Sequence, residues 1–438
     1  MNRSSLWGKF KNELNNSGMR ETMKKSVREL RPRRFFGDYL DVMGVLDGLH
    51  AYKGPEFAQI DLTNNCNNDC IGCWCNSPLL EDKKINPEVK RQALPFNRVL
   101  KLLDELSGMG TRHIYYAGGG EPFMHSEIME ILRYTKRKGF ICYVNTNFTL
   151  LDERKIKELV RSGVDHLTVS IWAATPEVYC ATHPNKDKAA FYRIKEMLQL
   201  LNSIKRSHPV IKLYNVIFNM NYHEFAEMIE FAINTNSESI EFTVIDTIPD
   251  RTDNLLLDSE ERKILLEQCN RLEDRRKNGD FQGRLNILSL PQFMRRLQNT
   301  ASMTAEYDSN IIGSMPCYAG WTFIRILADG NVNSCLKSHR FPVGNILKRS
   351  FSQIWNNRLQ QCFREKALRL DKNDSFFRLI GNDPDSAMGC FKSCDNLGHS
   401  LNMHGKVAAL GELEKKWLER TTKIMKLGRK YFNGKMGD

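Results

Sequence analysis

Between about residues 56 and 290, short β-rich runs alternate with longer helical stretches. The runs are, in order, "FAQIDL", "RHIYYAG", "ICYVNT", "HLTVSIW", "IKLYNVIF" and "SIEFTVI", with stretches such as "FNRVLKLLDELSGM" and "DERKIKELVRSG" between them. Six β-α units in regular succession predict parallel strands joined by right-handed crossovers. An open doubly wound sheet and a partial barrel both satisfy this pattern. In either case, the ligand site lies at the carboxyl ends of the strands.

Length and composition place the chain among globular proteins. Its 438 residues suffice for one large domain and a smaller one, and 41% are hydrophobic while 26% are charged. No apolar run reaches membrane-spanning length, and the opening "MNRSSLWGKFKNEL" lacks the apolar segment of a secretory signal. We therefore expect a cytoplasmic protein, where thiols stay reduced. In that compartment, twelve cysteines indicate metal binding or catalysis before disulfides.

The net charge of +12 is concentrated at the two ends of the chain. Residues 1–54 hold eleven basic and six acidic side chains, and residues 401–438 hold nine and four. The region between them is nearly neutral, which argues against a nucleic-acid-binding core.

Both ends also carry apolar residues at helical spacing beside Lys and Arg. The stripes include Leu6, Trp7, Phe10 and Leu14 near the N-terminus, and Leu410, Leu413, Trp417, Ile424 and Leu427 near the C-terminus. Such helices either dock on the protein with solvated basic faces or recruit an anionic lipid, a polyphosphate or an acidic carrier.

A dense group of cysteines follows the first β-rich run. Cys66, Cys70 and Cys73 form C-x3-C-x2-C on a predicted loop, a spacing that suits a soft metal or an iron–sulfur cluster. A structural zinc site usually takes four protein ligands, whereas three thiolates leave one cluster iron open. Cys75 lies only two residues beyond Cys73, and we expect its side chain to point away.

The motif "GGGEP" comes directly after the second run. Together with the preceding cysteine motif, it resembles the radical S-adenosylmethionine superfamily. The resemblance implies that the three cysteines hold a 4Fe-4S cluster whose open iron binds S-adenosylmethionine. It also implies reductive cleavage of that molecule to a 5′-deoxyadenosyl radical, which abstracts hydrogen from the substrate.

The same resemblance implies residues that contact S-adenosylmethionine. They are Gly119, Gly120, Glu121 and Pro122 after the second run, Asn145 and Asn147 at the third, Ser170 at the fourth and Asn219 at the fifth. Each of these positions also suits an ordinary turn or strand end. The family usually has an aromatic residue where Gly72 stands, so either Trp74 or backbone alone is expected to hold the adenine. Phe148 stands where the family often has glycine.

A second set of cysteines lies in the C-terminal third. Cys317 and Cys335 flank "ILADGNV", which predicts a tight hairpin with Asp-Gly at its turn, and "GCFKSCDN" supplies Cys390 and Cys394. These features resemble the auxiliary-cluster domains called SPASM and, in shortened form, Twitch. The full SPASM pattern of seven cysteines is incomplete, so the resemblance implies one auxiliary 4Fe-4S cluster with these four ligands. Cys362 in place of Cys390, an open iron and a structural zinc site are the alternatives.

The predicted fold is therefore α/β: a partial (β/α)6 TIM-like barrel followed by a small α+β SPASM/Twitch-like domain, with helical extensions at both ends. We divide the chain into a basic helical extension, the barrel, the auxiliary-cluster domain and a basic C-terminal helix, at residues 1–54, 55–295, 300–400 and 401–438.

The resemblance implies an oxidoreductase-type radical enzyme, and we expect oxidation or epimerisation of a small or carrier-linked substrate, such as a sugar or aminocyclitol. Asp246, after the sixth run, is a candidate for substrate contact. A flavodoxin, a ferredoxin or a reductase is the expected electron donor. Two alternatives stay open: a maturase of a ribosomal peptide, and a non-enzymatic binding protein stabilised by zinc.

Overall fold

The computed structural model describes residues 39–369, 371, 374–381 and 389–434. The chain divides into two compact units, residues 54–405 and the two ends, 1–53 with 406–438. The apolar stripe predicted near the N-terminus lies outside the described residues.

Among the described residues of the larger unit, ten strands form one sheet. They are β1 (Phe57–Ile60), β2 (His113–Tyr116), β3 (Ile141–Thr146), β4 (His166–Ser170), β5 (Val210–Ile217), β6 (Ser239–Val244), β7 (Asn286–Leu288), β8 (Phe323–Ile326), β9 (Asn331–Asn333) and β10 (Gly344–Asn345). Each of the six predicted β-rich runs coincides with one of the strands β1 to β6, and only β5 begins outside its run, one residue earlier at Val210.

Seventeen α-helices are described along the chain. They are α1 (Leu40–Asp47), α2 (Pro87–Lys90), α3 (Phe96–Gly108), α4 (Ile128–Arg137), α5 (Glu153–Ser162), α6 (Pro176–Thr182), α7 (Lys188–Ile204), α8 (Phe225–Asn234), α9 (Ser259–Lys277), α10 (Leu290–Gln298), α11 (Ser309–Ile312), α12 (Ala319–Thr322), α13 (Phe351–Trp355), α14 (Arg358–Arg369), α15 (Gly389–Lys392), α16 (Leu397–Ala408) and α17 (Glu412–Gly434).

The order of the strands distinguishes between the two predicted architectures. Strands β1 to β6 are neighbours in sequence order, and all of these pairs are parallel. A doubly wound sheet reverses its order at a switch point, whereas a barrel winds in one direction. The prediction of a partial barrel is therefore confirmed, and the doubly wound alternative is wrong.

The sheet extends beyond the six predicted strands at both edges. Strand β7 pairs with β6, and β8 pairs in parallel with β1, Phe57 lying opposite Phe323. Strands β8 and β9 form the predicted hairpin, whose turn places Gly330 at a φ of 83° after Asp329. The second cysteine segment is thus joined to the barrel by continuous hydrogen bonding, and the division between residues 295 and 300 stays a prediction.

Local sequence signals explain where the crossover helices begin and end. Helix α5 starts after Asp152, whose carboxylate accepts a hydrogen bond from the backbone of Lys155 at 2.8 Å, and ends at Gly163 with a φ of 75°. Its buried residues Ile156 and Leu159 are three positions apart and therefore lie on one face of the helix.

Side chains alternate along the strands between the helix-covered face and the barrel interior. In β1, Ala58 and Ile60 are fully buried, while Phe57 and Gln59 are half-buried. The strands β2 and β5 show the same alternation of half-buried and buried side chains.

The smaller unit contains helices α1 and α17, which contact each other. The Tyr39 and Trp417 rings meet edge to face with centroids 6.3 Å apart, and Lys426 donates to the carbonyl of Asp47 at 3.1 Å. Among the helices the structure describes, none combines the length and apolar character needed to cross a bilayer.

Candidate functional site

The first cysteine set lies on the loop after β1, at the carboxyl edge of the sheet. The backbone of Cys73 donates to the carbonyl of Cys70 at 3.0 Å, which closes a turn between these two positions. The backbone amides of Cys75 and Asn76 point at the Cys73 sulfur, at 3.4 and 3.3 Å. Such amide contacts stabilise a thiolate, which is the form that binds metal.

The thiols on this loop are half-buried and influence one another. Partial burial raises the pKa of Cys66 to about 11, and burial with the neighbouring Cys73 raises the pKa of Cys70. Cys75, predicted to point away, is half-buried beside the same groups, and burial followed by the influence of Cys73 raises its pKa to about 12. Neighbouring thiols with raised pKa values keep their protons when no metal is bound. They suit a site in which a bound cation takes the place of those protons.

The glycine motif after β2 approaches the cysteine loop too closely for any side chain. A Cβ atom at Gly119 would lie 2.2 Å from Oδ1 of Asn64, and one at Gly120 would lie 2.2 Å from the carbonyl oxygen of Asn65. The backbone of Glu121 donates to that same carbonyl at 2.9 Å. Glycine is therefore required by the contact between two loops.

Glu121 links the end of β2 to the end of β3. Its buried carboxylate accepts hydrogen bonds from Thr146 Oγ1 at 2.7 Å, the backbone of Asn147 at 2.7 Å and the backbone of Phe123 at 3.1 Å. Burial raises the pKa of Glu121 to about 7, although these bonds favour the ionised form. The carboxylate therefore positions the surrounding loops.

Asn147 reaches from β3 to the cysteine loop. Its amide nitrogen donates to Asn67 Oδ1 at 2.9 Å and lies 3.9 Å from the sulfur of Cys66. The following residue, Phe148, is buried with a φ of 64°, so a large side chain adopts the left-handed conformation that glycine prefers. Phe148 therefore replaces the glycine that the family often has here, but the backbone keeps the left-handed conformation of the turn.

The other predicted contacts lie along the same edge of the sheet. Pro122 begins a short 3-10 turn, Asn145 is exposed near the end of β3, and Ser170 is half-buried at the end of β4. Asn219 instead donates its amide to the carbonyl of Asn254 at 2.8 Å, which ties it to a neighbouring loop.

Gly72 faces a different aromatic ring from the one expected. A Cβ atom here would lie 2.7 Å from Ile245 Cδ1 and 3.7 Å from the Trp172 ring. Trp74 points elsewhere, and its indole donates to the backbone carbonyl of Asp246 at 2.8 Å.

Trp172 was not singled out from the sequence. Its backbone donates to Asn215 Oδ1 at 3.1 Å, while its indole nitrogen and the Asn215 amide nitrogen are buried without a partner among the described groups. Its place, two residues after Ser170 at the carboxyl edge of the sheet, was the only available signal.

The second cysteine set surrounds one cavity. Its lining residues are Cys317, Cys335, Lys337, Phe363, Ala367, Phe377, Ile380, Cys390, Ser393, Cys394, Asp395 and Asn396. All four predicted auxiliary ligands are in this set, and Cys362 is not. Phenylalanine and isoleucine side chains form one wall, and such an apolar wall keeps water from a buried cluster.

The thiols of this cavity also influence one another. Burial, followed by the neighbouring Cys317, raises the pKa of Cys335 to about 11. Burial likewise raises the pKa of Cys394, with further contributions from Cys317 and Cys390. Four thiols that oppose one another's ionisation fit a site that a metal cluster stabilises.

A buried ion pair holds the last cysteine segment in place. Both oxygens of the Asp308 carboxylate accept hydrogen bonds from the Arg296 guanidinium, at 2.6 and 3.1 Å. The same carboxylate accepts the backbone amide of Cys394 at 3.0 Å, and Arg296 also donates to Thr243 on β6 at 3.0 Å. The barrel thereby positions Cys394.

Two further ion pairs lie between the cysteine sites. Arg325 on β8 donates to Asp61 Oδ2 at 3.0 and 2.7 Å, and to the carbonyl of Leu336 at 2.9 Å. Asp246 forms the other pair with buried Lys337. Burial opposes the charge on that ammonium, but Asp246 and then Asp395 raise the pKa of Lys337 above its ordinary value.

Comparison with known proteins identifies the chain. The family model of the radical SAM superfamily matches residues 60–232, and the model of the iron-sulfur cluster-binding domain SPASM matches residues 317–376. These two regions contain the first cysteine site and the first half of the second. The chain belongs to the radical SAM superfamily and carries a C-terminal SPASM domain. It is accordingly an enzyme that uses a 4Fe-4S cluster and S-adenosylmethionine, with an auxiliary iron–sulfur cluster.

Two curated relatives each align over 70% of this chain and 83% of their own length. The tungsten-containing aldehyde ferredoxin oxidoreductase cofactor-modifying protein of Pyrococcus furiosus is 22% identical, and the AdoMet-dependent heme synthase of Methanosarcina barkeri is 25% identical. Among solved structures, SuiB of Streptococcus suis bound to S-adenosylmethionine has a TM-score of 0.55 at 15% identity, with 81% of this chain and 78% of SuiB covered. Native anSMEcpe with bound AdoMet gives 0.54 at 15% identity, with 84% and 100% covered. These structures share the fold.

Proposed function

We propose that this protein cleaves S-adenosylmethionine reductively and uses the resulting radical to abstract hydrogen from a small or carrier-linked substrate, which is then oxidised or epimerised. The observation that carries the proposal is the cysteine loop after β1, held against the glycine motif of β2 and the amide of Asn147. The auxiliary site supports an oxidoreductase-type outcome, because a cluster held there would supply an acceptor for an electron left on a substrate radical.

Cys66, Cys70 and Cys73 would hold the first 4Fe-4S cluster. They fit it because three half-buried thiols share one loop and backbone amides already face the Cys73 sulfur. When bound, the cluster supplies the electron that cleaves S-adenosylmethionine. Residues around the loop contribute position: the Glu121 carboxylate links the ends of β2 and β3, and Asn147 fixes the loop through Asn67.

S-adenosylmethionine would lie along the carboxyl edge of the barrel. The contacts predicted from the sequence are Gly119, Gly120, Glu121, Pro122, Asn145, Asn147, Ser170, Asn219 and Trp74. The geometry supports two additions, Trp172 and Asn215, because each buries a polar nitrogen without a partner among the described groups. We propose Trp172, which faces Gly72, as the aromatic contact of the adenine. Glu121 acts through the backbone, since its carboxylate already accepts three hydrogen bonds.

Cys317, Cys335, Cys390 and Cys394 would hold one auxiliary 4Fe-4S cluster. Their shared cavity favours this set over one that includes Cys362. Metal analysis of anaerobically purified protein tests the competing zinc site. About one zinc per chain, with iron for only one cluster, would show that the second cysteine set binds zinc.

Asp246 and the groups around it would meet the substrate. Asp246 lies directly after β6, beside Trp74 of the cysteine loop and Lys337 of the auxiliary cavity. A substrate bound between the two cysteine sites would lie beside Asp246. The names of the curated relatives concern cofactors, and this favours a small molecule over a peptide.

The substrate class has a direct test. Reduced enzyme with S-adenosylmethionine is incubated with low-molecular-mass and peptide fractions of a cell extract, and 5′-deoxyadenosine is quantified. Stimulation by the low-molecular-mass fraction supports the proposal. Stimulation by the peptide fraction alone would favour the peptide maturase, and no product with either would overturn the radical mechanism. We propose a cytoplasmic flavodoxin, ferredoxin or reductase as the natural electron donor.

Helix α17 offers a surface for an anionic membrane. Leu413, Ile424 and Leu427 are 85%, 62% and 61% exposed and recur at helical spacing, with exposed Lys416 and Lys423 beside them. An apolar stripe flanked by basic residues suits the interface of an anionic bilayer. Flotation with phosphatidylglycerol vesicles should recover the protein, whereas replacing Ile424 and Leu427 by serine should abolish recovery. Equal recovery with neutral vesicles, or none with either kind, would contradict this contact.

A further inference from the structure

Lys337 places a buried positive charge at the wall of the auxiliary cavity. The residue is 5% exposed, and its ammonium is hydrogen-bonded to the Asp246 carboxylate and, at 2.6 Å, to Ser393 Oγ. It also lies 5.7 Å from the centroid of the Trp74 ring. A buried ammonium is costly unless it is paired, so this arrangement is specific rather than incidental.

Three separate segments keep that charge in place. Ser393 lies between Cys390 and Cys394, Asp246 follows β6, and the carbonyl of Lys337 accepts the backbone amide of Gly381 at 2.8 Å. The ammonium therefore cannot swing into solvent without breaking its bonds to Asp246 and Ser393, while the bond from Gly381 holds the backbone from which the side chain extends.

Lys337 offsets part of the negative charge that two carboxylates place around the cavity. Asp395 lines the cavity, and Asp246 lies on the far side of the ammonium. Arg325, whose charge also reaches Cys335, is already paired with Asp61. Removing the Lys337 charge would leave two carboxylates without this partner, close to the cysteines.

Net charge, hydrogen bonds to sulfur and solvent exposure set the reduction potential of an iron–sulfur cluster. Because the cavity has a low dielectric constant, a fixed cation there acts more strongly than one in water. We propose that Lys337 is a positioning residue whose ammonium raises the reduction potential of the auxiliary cluster and so favours its acceptance of an electron. The proposal rests on the assignment of the second cysteine set to a cluster.

The test measures this potential in full-length protein carrying Cys66→Ala, Cys70→Ala and Cys73→Ala, so that only the auxiliary cluster contributes. The potential is read by redox titration with dithionite and mediators, followed by electron paramagnetic resonance. Lys337→Met should shift it to a more negative value at unchanged iron content, and Lys337→Arg should restore most of it. Lys101→Met, at an exposed position of α3, is the control and should leave it unchanged.

Asp246→Asn is an independent variant for which the expected shift in reduction potential has the opposite sign. It removes a negative charge and keeps the ammonium, so the potential should become more positive. If Lys337→Met loses its iron, the reduction potential of Asp246→Asn alone decides whether the proposal holds. A cluster with normal iron content whose potential does not move in the predicted direction overturns the role of Lys337 alone. Absence of iron from the protein with Lys337 intact would instead overturn the cluster assignment.

Discussion

The two cysteine sites are built in opposite ways. The first takes three thiols from eight consecutive positions, residues 66–73, and surrounds them with polar groups: the Asn147 amide, the Glu121 carboxylate and the backbone of the glycine motif. The second collects four thiols from residues 317–394 around a cavity with an apolar wall. A polar, crowded edge suits a cofactor with amino and carboxylate groups, whereas an apolar cavity suits a buried electron acceptor.

The two cysteine sites also differ in the contacts that keep them in place. The first depends on loops that touch through glycine, so it is sensitive to single added atoms. The second depends on a hairpin that continues the barrel sheet and on one ion pair that fixes Cys394. Changes at the two sites should therefore have separable effects.

The largest expected effect is at the first site. Replacing Cys66, Cys70 and Cys73 together by alanine should remove one cluster and all formation of 5′-deoxyadenosine, because no other group would bind S-adenosylmethionine to iron. Iron content and product are measured on the same preparation. Product from this variant would show that the first site is misassigned.

A smaller effect is expected at the second site. Replacing Cys317 and Cys335 by alanine should lower the iron from about eight to about four per chain and leave some cleavage without substrate turnover. Iron analysis with the 5′-deoxyadenosine assay checks this. Unchanged iron content would contradict the assignment of these two ligands.

The Arg296–Asp308 ion pair, which holds the backbone amide of Cys394, should contribute to the stability of the protein. Asp308→Ala leaves the buried Arg296 charge uncompensated, which should lower the free energy of unfolding by about 3–5 kcal/mol. Urea denaturation measures the change. Glu158→Ala, which breaks an exposed ion pair with Arg154 on helix α5, is the control and should stay close to the unmodified protein.

The smallest change, a single methyl group, tests the glycine contact. Gly120→Ala should destabilise the protein by about 1–3 kcal/mol and slow cleavage by roughly 10–100-fold, because the Cβ atom meets the backbone of Asn65. Gly108→Ala places its methyl group in open space at the end of α3 and is the matched control. Equal rates for the two variants would show that the close contact is unimportant.

The sequence sufficed where the signal was local. The six parallel strands follow from alternating runs, and the β8–β9 hairpin follows from Asp329 and Gly330. The clustering of Cys66, Cys70 and Cys73 needs only a short loop. The proximity of Asn147 to that loop was implied by family resemblance.

Features that depend on distant contacts were not predictable. The pairing of β8 with β1 joins residues more than two hundred positions apart, and the Asp246–Lys337 pair connects the barrel to the auxiliary cavity. Trp172 was missed because a tryptophan near a strand end usually belongs to a core. Only the tertiary fold shows that it, and not Trp74, faces Gly72.

We propose that the chain holds two iron–sulfur clusters, of which the first would supply the electron that cleaves S-adenosylmethionine. The decisive measurement is iron, zinc and acid-labile sulfide per chain after anaerobic reconstitution, together with the 5′-deoxyadenosine formed under dithionite. We expect about eight irons, matching sulfide and product. Zinc in place of iron, with no product, would contradict it.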